Sequence, residues 1–382
     1  MMKFFTLLLA CLSLCPQARA LELSPFYGVE QKRDTNIYLT DTDATASWIN
    51  ISSVGFSAAH KKDAVSLDAS YGIGKISYST DKSANDYVSH DAALSLSVRP
   101  STATAVLFSE HYLVTTDPAV SEQTQRLRHG QNLLSAGVKT PLKDGFGIFV
   151  DATALKLSYF ADYASAISRA EYAFRAGVNY ELDEHMSAFA AYERGIINYE
   201  SASGHDSTYN QPAVGLEGAL LPGVSVYAEV NVQLRNYKEG LVSGGYTAED
   251  KTTSYGGRVE LLWVPNADSR LRIGVSRANR ESQQALSRYY ISTVADIGIT
   301  QKIQRFILDA GTGLEFLDSP EVTPATGGKR KTTDMFAGVG LAYEASRAFT
   351  MGVKLSSRTR NSNEAGLGFA DQVYNFYIKG RL

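Results

Sequence analysis

The sequence predicts an all-β fold, a transmembrane antiparallel β-barrel of about 18 strands with no plug domain; 16 is the alternative count. Three observations lead there. Runs of about 10 to 16 residues alternate apolar with polar side chains from end to end, the period of a strand whose two faces meet different surroundings. The connections between runs are short and long in turn, as in closed membrane barrels. No stretch reads as an amphipathic helix able to cover a sheet face, and no second set of apolar runs supplies a partner layer.

At the N-terminus, MMKFFTLLLACLSLCPQARA joins a charged Lys3, an apolar run from Phe4 to Leu14 and a small-x-small ending at Ala18-Arg19-Ala20. We read residues 1–20 as a secretory signal peptide and 21–382 as one barrel domain. The run falls short of the about 20 apolar residues that a spanning helix needs. A lipoprotein cleavage site at Leu8-Leu9-Ala10-Cys11 is the rival, but the apolar run ahead of Cys11 is short and continues past it. Cleavage removes both cysteines, Cys11 and Cys15, and with them disulfides, thiolate chemistry and cysteine-held metal. It also removes Lys3 and Arg19 from the 37 basic residues, against 40 acidic ones, leaving a formal charge of −5. That balance lacks the basic excess that nucleic-acid binding requires.

Strands are expected at 24–34, 47–60, 64–79, 87–99, 102–115, 125–140, 145–159, 168–182, 186–199, 206–220, 223–237, 252–264, 269–280, 286–300, 304–317, 331–344, 348–360 and 370–382. Short turns such as LKDG at 142–145, LPG at 221–223 and PNADS at 265–269 carry the Pro, Gly, Asn and Asp that turn geometry favours. Polar stretches such as TDPAVSEQT, KEGLVSGGYTAEDK and DSPEVTPATGGKRK are expected to be solvent loops. The even strand count puts both termini on the short-turn side, periplasmic in a bacterial outer membrane.

In VSVYAEVNVQLRNY, residues 224–237, the even positions up to Leu234 are aliphatic and the odd ones polar or tyrosine. With no protein layer to meet, the aliphatic row must face lipid, where a closed barrel alone pairs every backbone amide. Tyr227, Glu229, Asn231, Gln233 and Arg235 then face a polar lumen. The same logic turns Glu171 and Arg175, Arg305, Asp309 and Glu315, and Lys354, Arg358 and Arg360 inward. Arg258 and Glu260, Arg288 and Asp296, and Tyr290 join them. Arg175 with Glu171, Arg235 with Glu229, Arg258 with Glu260, Arg288 with Asp296, and Lys354 with Arg358 give this wall both signs of charge, to be satisfied in an internal salt-bridge lattice. Aromatics near run ends (Tyr159, Tyr199, Tyr237, Trp263, Phe316, Tyr343) read as interfacial girdle residues.

These inward charges are the candidate functional residues, as lining of a pore: Glu171, Arg175, Tyr227, Glu229, Asn231, Arg235, Arg258, Glu260, Arg288, Asp296, Asp309, Lys354 and Arg358. Their plainer role is a salt-bridge lattice that satisfies a polar interior; surplus Arg and Lys on the last strands would attract anionic solutes. No catalytic, cofactor or metal site is expected. The six histidines are scattered, and in SEH at 109–111 the Ser and His share one face while Glu110 points to the other. GIGKIS at 72–77 and GTGLE at 311–315 lie inside strands, which rules out phosphate-loop readings and leaves relief of sheet curvature.

The strand count, the lack of a plug-sized N-terminal domain and the C-terminal SSRTRNSN…DQVYNFYIKGRL resemble the outer-membrane barrel porins of exopolysaccharide and capsule export loci, with Arg358, Arg360, Asn361, Ser362 and Asn363 in that family's Arg-x-Arg-(Asn/Asp)-Ser-Asn positions. The final strand also resembles the recognition strand read by the barrel-assembly machinery, with Leu382 where Phe is commoner. The resemblance implies a passive conduit for a secreted polysaccharide, embedded in outer-membrane lipid and working with a periplasmic polysaccharide-export protein. Two other functions stand beside it: a general porin for small hydrophilic solutes, for which KEGLVSGGYTAEDK is long enough to fold inward as a constricting loop, and a barrel enzyme acting on lipid. A plugged, energy-coupled transporter is disfavoured, since nothing before the first strand could form the plug.

Overall fold

The computed structural model describes residues 22–62, 64–101, 103–123, 125–200, 205–238, 242–243, 246–247, 250–282, 287–323 and 328–382. The expected leader at 1–20 lies outside them, as does half of KEGLVSGGYTAEDK. The strands are β1 (Glu22–Asp34), β2 (Ser47–Lys62), β3 (Val65–Tyr78), β4 (Tyr87–Val98), β5 (Ala105–Thr115), β6 (His129–Pro141), β7 (Phe146–Tyr159), β8 (Arg169–Glu181), β9 (Met186–Tyr199), β10 (Ser207–Leu221), β11 (Val224–Tyr237), β12 (Lys251–Asn266), β13 (Ser269–Glu281), β14 (Tyr289–Ile303), β15 (Phe306–Thr323), β16 (Gly328–Ser346), β17 (Phe349–Ser362) and β18 (Phe369–Arg381). They form one 18-stranded antiparallel sheet in which each strand pairs with its sequence neighbours. β1 closes it by pairing with β18, from Phe26 opposite Arg381 to Asp34 opposite Val373.

Closure removes both sheet edges, so no ladder N–H or C=O is left facing hydrocarbon. Directly opposed residues lie on the same face of a sheet, and the register therefore carries inward or outward orientation around the whole ring. On β11 the even row is exposed, Val230 at 62% and Leu234 at 45%, while Glu229 and Arg235 are 8% and 3% exposed. The outward band continues through Val150, Phe174, Val214, Val259, Val339 and Phe376, all exposed. Glu110 is a departure, an acid on the outward row of β5 that accepts a hydrogen bond from Asn132 Nδ2 at 3.2 Å on β6.

Turns at one end are tight. Between β8 and β9 the Asp183 carboxylate accepts the backbone N–H groups of His185 (2.7 Å) and Met186 (2.8 Å), bonds that hold its carboxyl below the usual range. Gly223 takes φ 76° between β10 and β11, a left-handed conformation that costs other residues more.

Several expectations need correction. DSPEVTPATGGKRK is largely not a loop: β15 runs on to Thr323 and β16 starts at Gly328, a hairpin with a register shift between Asp318 and Val322. Cross-strand pairing stabilises polar strands beyond the apolar band, which hydropathy alone does not register. Arg305 is not in a strand facing inward; it sits in the turn between β14 and β15 and donates to the Ala345 carbonyl. Tyr159, Tyr199 and Tyr237 are not girdle residues, being only 7%, 8% and 6% exposed and on inward rows. For two of them the hydroxyl explains the choice of side: Tyr199 donates to Glu281 at 3.0 Å and Tyr159 to Gln123 at 3.3 Å. Trp263 and Phe316 do face outward, at 44% and 46% exposure.

Glycine inside the strands has a second use besides curvature. A Cβ on Gly313 would meet the Phe336 ring at 2.4 Å, and one on Gly215 the Phe189 ring at 2.3 Å. Each glycine makes room for an aromatic ring from the neighbouring strand, which covers its bare backbone.

Candidate functional site: a loop folded across the lumen

The connection between β5 and β6, residues 116–128, enters the barrel and docks on the far wall. Ser121 is its tip: the hydroxyl donates to Glu315 Oε1 at 2.7 Å on β15 and lies 3.2 Å from the Tyr290 hydroxyl on β14. The Ser121 carbonyl accepts from Arg358 Nη2 at 2.8 Å and from Arg360, and the Glu122 carbonyl accepts from Arg360 Nη1 at 2.9 Å. The Glu122 carboxylate pairs with Arg330 on β16 and accepts the Ser282 hydroxyl at 2.8 Å. It is 4% exposed.

Both arginines of β17 are themselves held. Arg360 Nε donates to Asp334 Oδ1 at 2.7 Å and Arg358 Nε to Asp334 Oδ2 at 3.1 Å, so one acid buried to 1% exposure aims two guanidinium groups at the loop. Nearer the base of the loop, Arg126 pairs with Asp34 (2.8 Å), Asp371 (3.2 Å) and Asp117 (3.6 Å). Burial opposes the Arg126 charge, but the three carboxylates outweigh it and lift its pKa above the ordinary arginine value. The loop is thus tied at its tip and its base by ion pairs and charge-assisted hydrogen bonds, the stronger kind.

The expected inward residues sit as follows. Arg175 pairs with Glu229 at 2.6 Å on β11, not with Glu171, and Glu229 also accepts Tyr227 OH (2.6 Å) and Asn231 Nδ2 (3.0 Å). Glu171 pairs with Arg169 at 2.6 Å. Arg235 pairs with Glu281 on β13, not with Glu229. Arg288, just ahead of β14, pairs with Glu321 at 2.8 Å, not with Asp296, which Arg272 holds. Arg258 does pair with Glu260. The pattern has a simple cause: residues four or more apart on one strand are separated by about 13 Å or more, beyond side-chain reach, whereas i and i+2 on one face are neighbours. Asp309 accepts the Thr300 hydroxyl at 2.7 Å.

A cavity of about 660 Å³ opens beside the docked loop, lined by Arg270, Arg272, Lys354 and Arg358 against Asp296, Asp309 and Asp371. Among the described residues Lys354 and Arg270 have no carboxylate at ion-pair distance, so they keep their charge available to a solute. Gly298, Gly311, Gly338 and Gly340 line the same space, where larger side chains would fill it. On the other wall Phe149, Phe189 and Tyr227 form a run of rings, centroids 6.4 Å and 5.7 Å apart, with the Arg175 guanidinium 5.9 Å from Phe149 and 5.7 Å from Phe189.

Reasoning from the sequence missed the loop tip, Arg330, Asp334 and the two inward phenylalanines. Phe149 and Phe189 were legible in principle, since both keep the parity of a polar inward row. Ser121 and Glu122 were not, because no local pattern marks a loop that docks 200 residues away. Half of KEGLVSGGYTAEDK, the segment considered from the sequence as a constricting loop, lies outside the described residues.

Solved structures provide a comparison for this architecture. OpdO of Pseudomonas aeruginosa aligns at TM-score 0.50 and 12% identity over 95% of this chain and 97% of that one. OccK5 (OpdH) of the same organism aligns at TM-score 0.50 and 11% identity over 95% and 99%. The chain shares their fold. The outer membrane protein OpdK aligns at TM-score 0.47 and 11% identity over 94% and 98%. No protein-family model and no curated sequence matches the chain. Among the described residues no group of His, Cys, Asp or Glu could hold a metal ion.

Proposed function

We propose that this barrel is an outer-membrane diffusion channel for small hydrophilic solutes, preferring anions, with the 116–128 loop as its constriction. The observation that carries this reading is the loop itself. Its tip bonds to β14, β15, β16 and β17, which leaves side passages such as the 660 Å³ cavity, a size suited to a small molecule. Lys354 and Arg270 in that cavity supply the anion preference. The fold shared with OpdO and OccK5 is consistent with a channel.

The test is conductance and ion selectivity of the purified protein in planar bilayers. We expect a small unitary conductance, and a reversal potential in a KCl gradient that reports chloride preference. Lys354→Glu should move that potential toward potassium, since the charge lies on the open wall. A potential that Lys354→Glu leaves unchanged would remove the anion assignment.

Polysaccharide export, with a periplasmic export protein as partner, is the second reading. It rests on the Arg358-x-Arg360 motif, and a polymer would require the docked loop to swing out. Loss of extracellular polysaccharide on gene deletion, restored by a plasmid copy, would favour it; unchanged polymer together with solute-sized conductance would leave the diffusion channel standing.

A further inference from the structure

We propose that the outward wall at the long-loop end of β2, β3 and β4 binds the phosphate of a phosphorylated glycolipid in the surrounding leaflet. This goes beyond the channel reading and rests on it only in placing the long loops on the outer side of the membrane.

A cavity of about 600 Å³ lies on the lipid-facing side there. Its floor is Val54, Ile73 and Val88, outward residues on three adjacent strands, and two cations, Lys75 and Arg128, stand at its edge. Neither cation has a carboxylate at ion-pair distance among the described residues. The Arg128 guanidinium lies over two rings, 5.7 Å from the Tyr87 centroid and 5.2 Å from that of Phe160, which fixes its plane and leaves its N–H edge free for an oxyanion. Asp86, the acid in the lining, is engaged by the Tyr78 backbone N–H at 2.7 Å.

The distribution of charge around the barrel supports the same partner independently. On the outward rows Arg33, Lys75, Lys156, Arg194, Arg277 and Lys331 all lie toward the long-loop end of their strands. At the opposite end Lys62 is the lone outward cation among the described residues. A solvated rim has no reason to be so one-sided. Anionic headgroups on one leaflet do, because each outward Lys or Arg there meets a phosphate instead of bulk water. An apolar floor below two cations suits a lipid, whose acyl chains cover the floor while its phosphate meets Lys75 and Arg128; a free phosphate would leave the floor bare.

Binding of diphosphorylated hexa-acyl lipid A to the full-length protein in micelles, followed by native mass spectrometry, tests this. We expect retention of lipid A by the wild type, weaker retention of the dephosphorylated form, and at least ten-fold weaker binding to Lys75→Gln/Arg128→Gln. Because Arg128 also packs on two rings, Lys75→Gln alone and Arg128→Lys are made beside it, with circular dichroism checking strand content. Lys75→Gln should weaken binding and Arg128→Lys should weaken it less than Arg128→Gln. Equal binding of lipid A to wild type and double variant, or equal retention of phosphatidylglycerol and lipid A, would overturn the proposal.

Discussion

Deleting residues 118–124 should raise single-channel conductance several-fold while leaving the barrel folded. Loops tolerate shortening when the elements they join do not depend on them, and β5 and β6 are already paired from Ala105 opposite Lys139 to Thr115 opposite His129. The deletion takes away the tip that bonds to four strands on the far wall, and water enters in its place. Arg330, Arg358 and Arg360 lose loop partners but become solvated; Arg358 and Arg360 also keep Asp334. A point substitution behaves differently. Glu122→Leu keeps the loop but strands Arg330, itself 3% exposed, without its carboxylate. Removing one partner of a buried pair costs about 3 to 5 kcal/mol, so this variant should loosen loop docking and give noisy, fluctuating current instead of a uniformly larger one. Conductance unchanged by the deletion would mean that the loop does not limit flow.

Val230→Arg should sharply reduce assembled barrel, whereas Asn231→Arg should assemble normally. The two positions are adjacent at the middle of β11, Val230 outward and 62% exposed on the apolar band, Asn231 inward beside Glu229 at 3.0 Å. A cation at the bilayer midplane on the lipid face costs about 2 to 4 kcal/mol, while one in the lumen is hydrated and finds carboxylates. Heat-dependent unfolding of each variant reconstituted in lipid gives the comparison. Equal stability of the two would contradict the assigned orientation of the wall, and with it the pore-lining role of every residue placed by parity.

That orientation was readable from alternation because a strand has period two and only one of its faces can meet hydrocarbon. The strand at 186–199 matches Met186–Tyr199, and most other ends shift by one to four residues. Larger errors arose where strand continues past the apolar band, as in Phe306–Thr323, since hydropathy marks the membrane's thickness and not the ladder's end. Tyr159, Tyr199 and Tyr237 misled for a related reason: an aromatic near a strand end suits an interface or a lumen equally, and parity, not residue type, decides between them.

The sequence by itself determined a closed antiparallel barrel, its strand number, and which side chains face lipid, because these follow from local periodicity and the need to pair every amide. Only the tertiary structure decided who partners whom inside. Glu122 meets Arg330 across 208 residues, Arg126 meets Asp371 across 245, and Arg235 meets Glu281 across 46. Those pairs depend on closure, which brings distant strands to face one lumen, and on a loop whose polar sequence looks the same whether it lies in water or folds inward. Its direction is set by complementary charge on the opposite wall, and no local pattern along the chain contains that information.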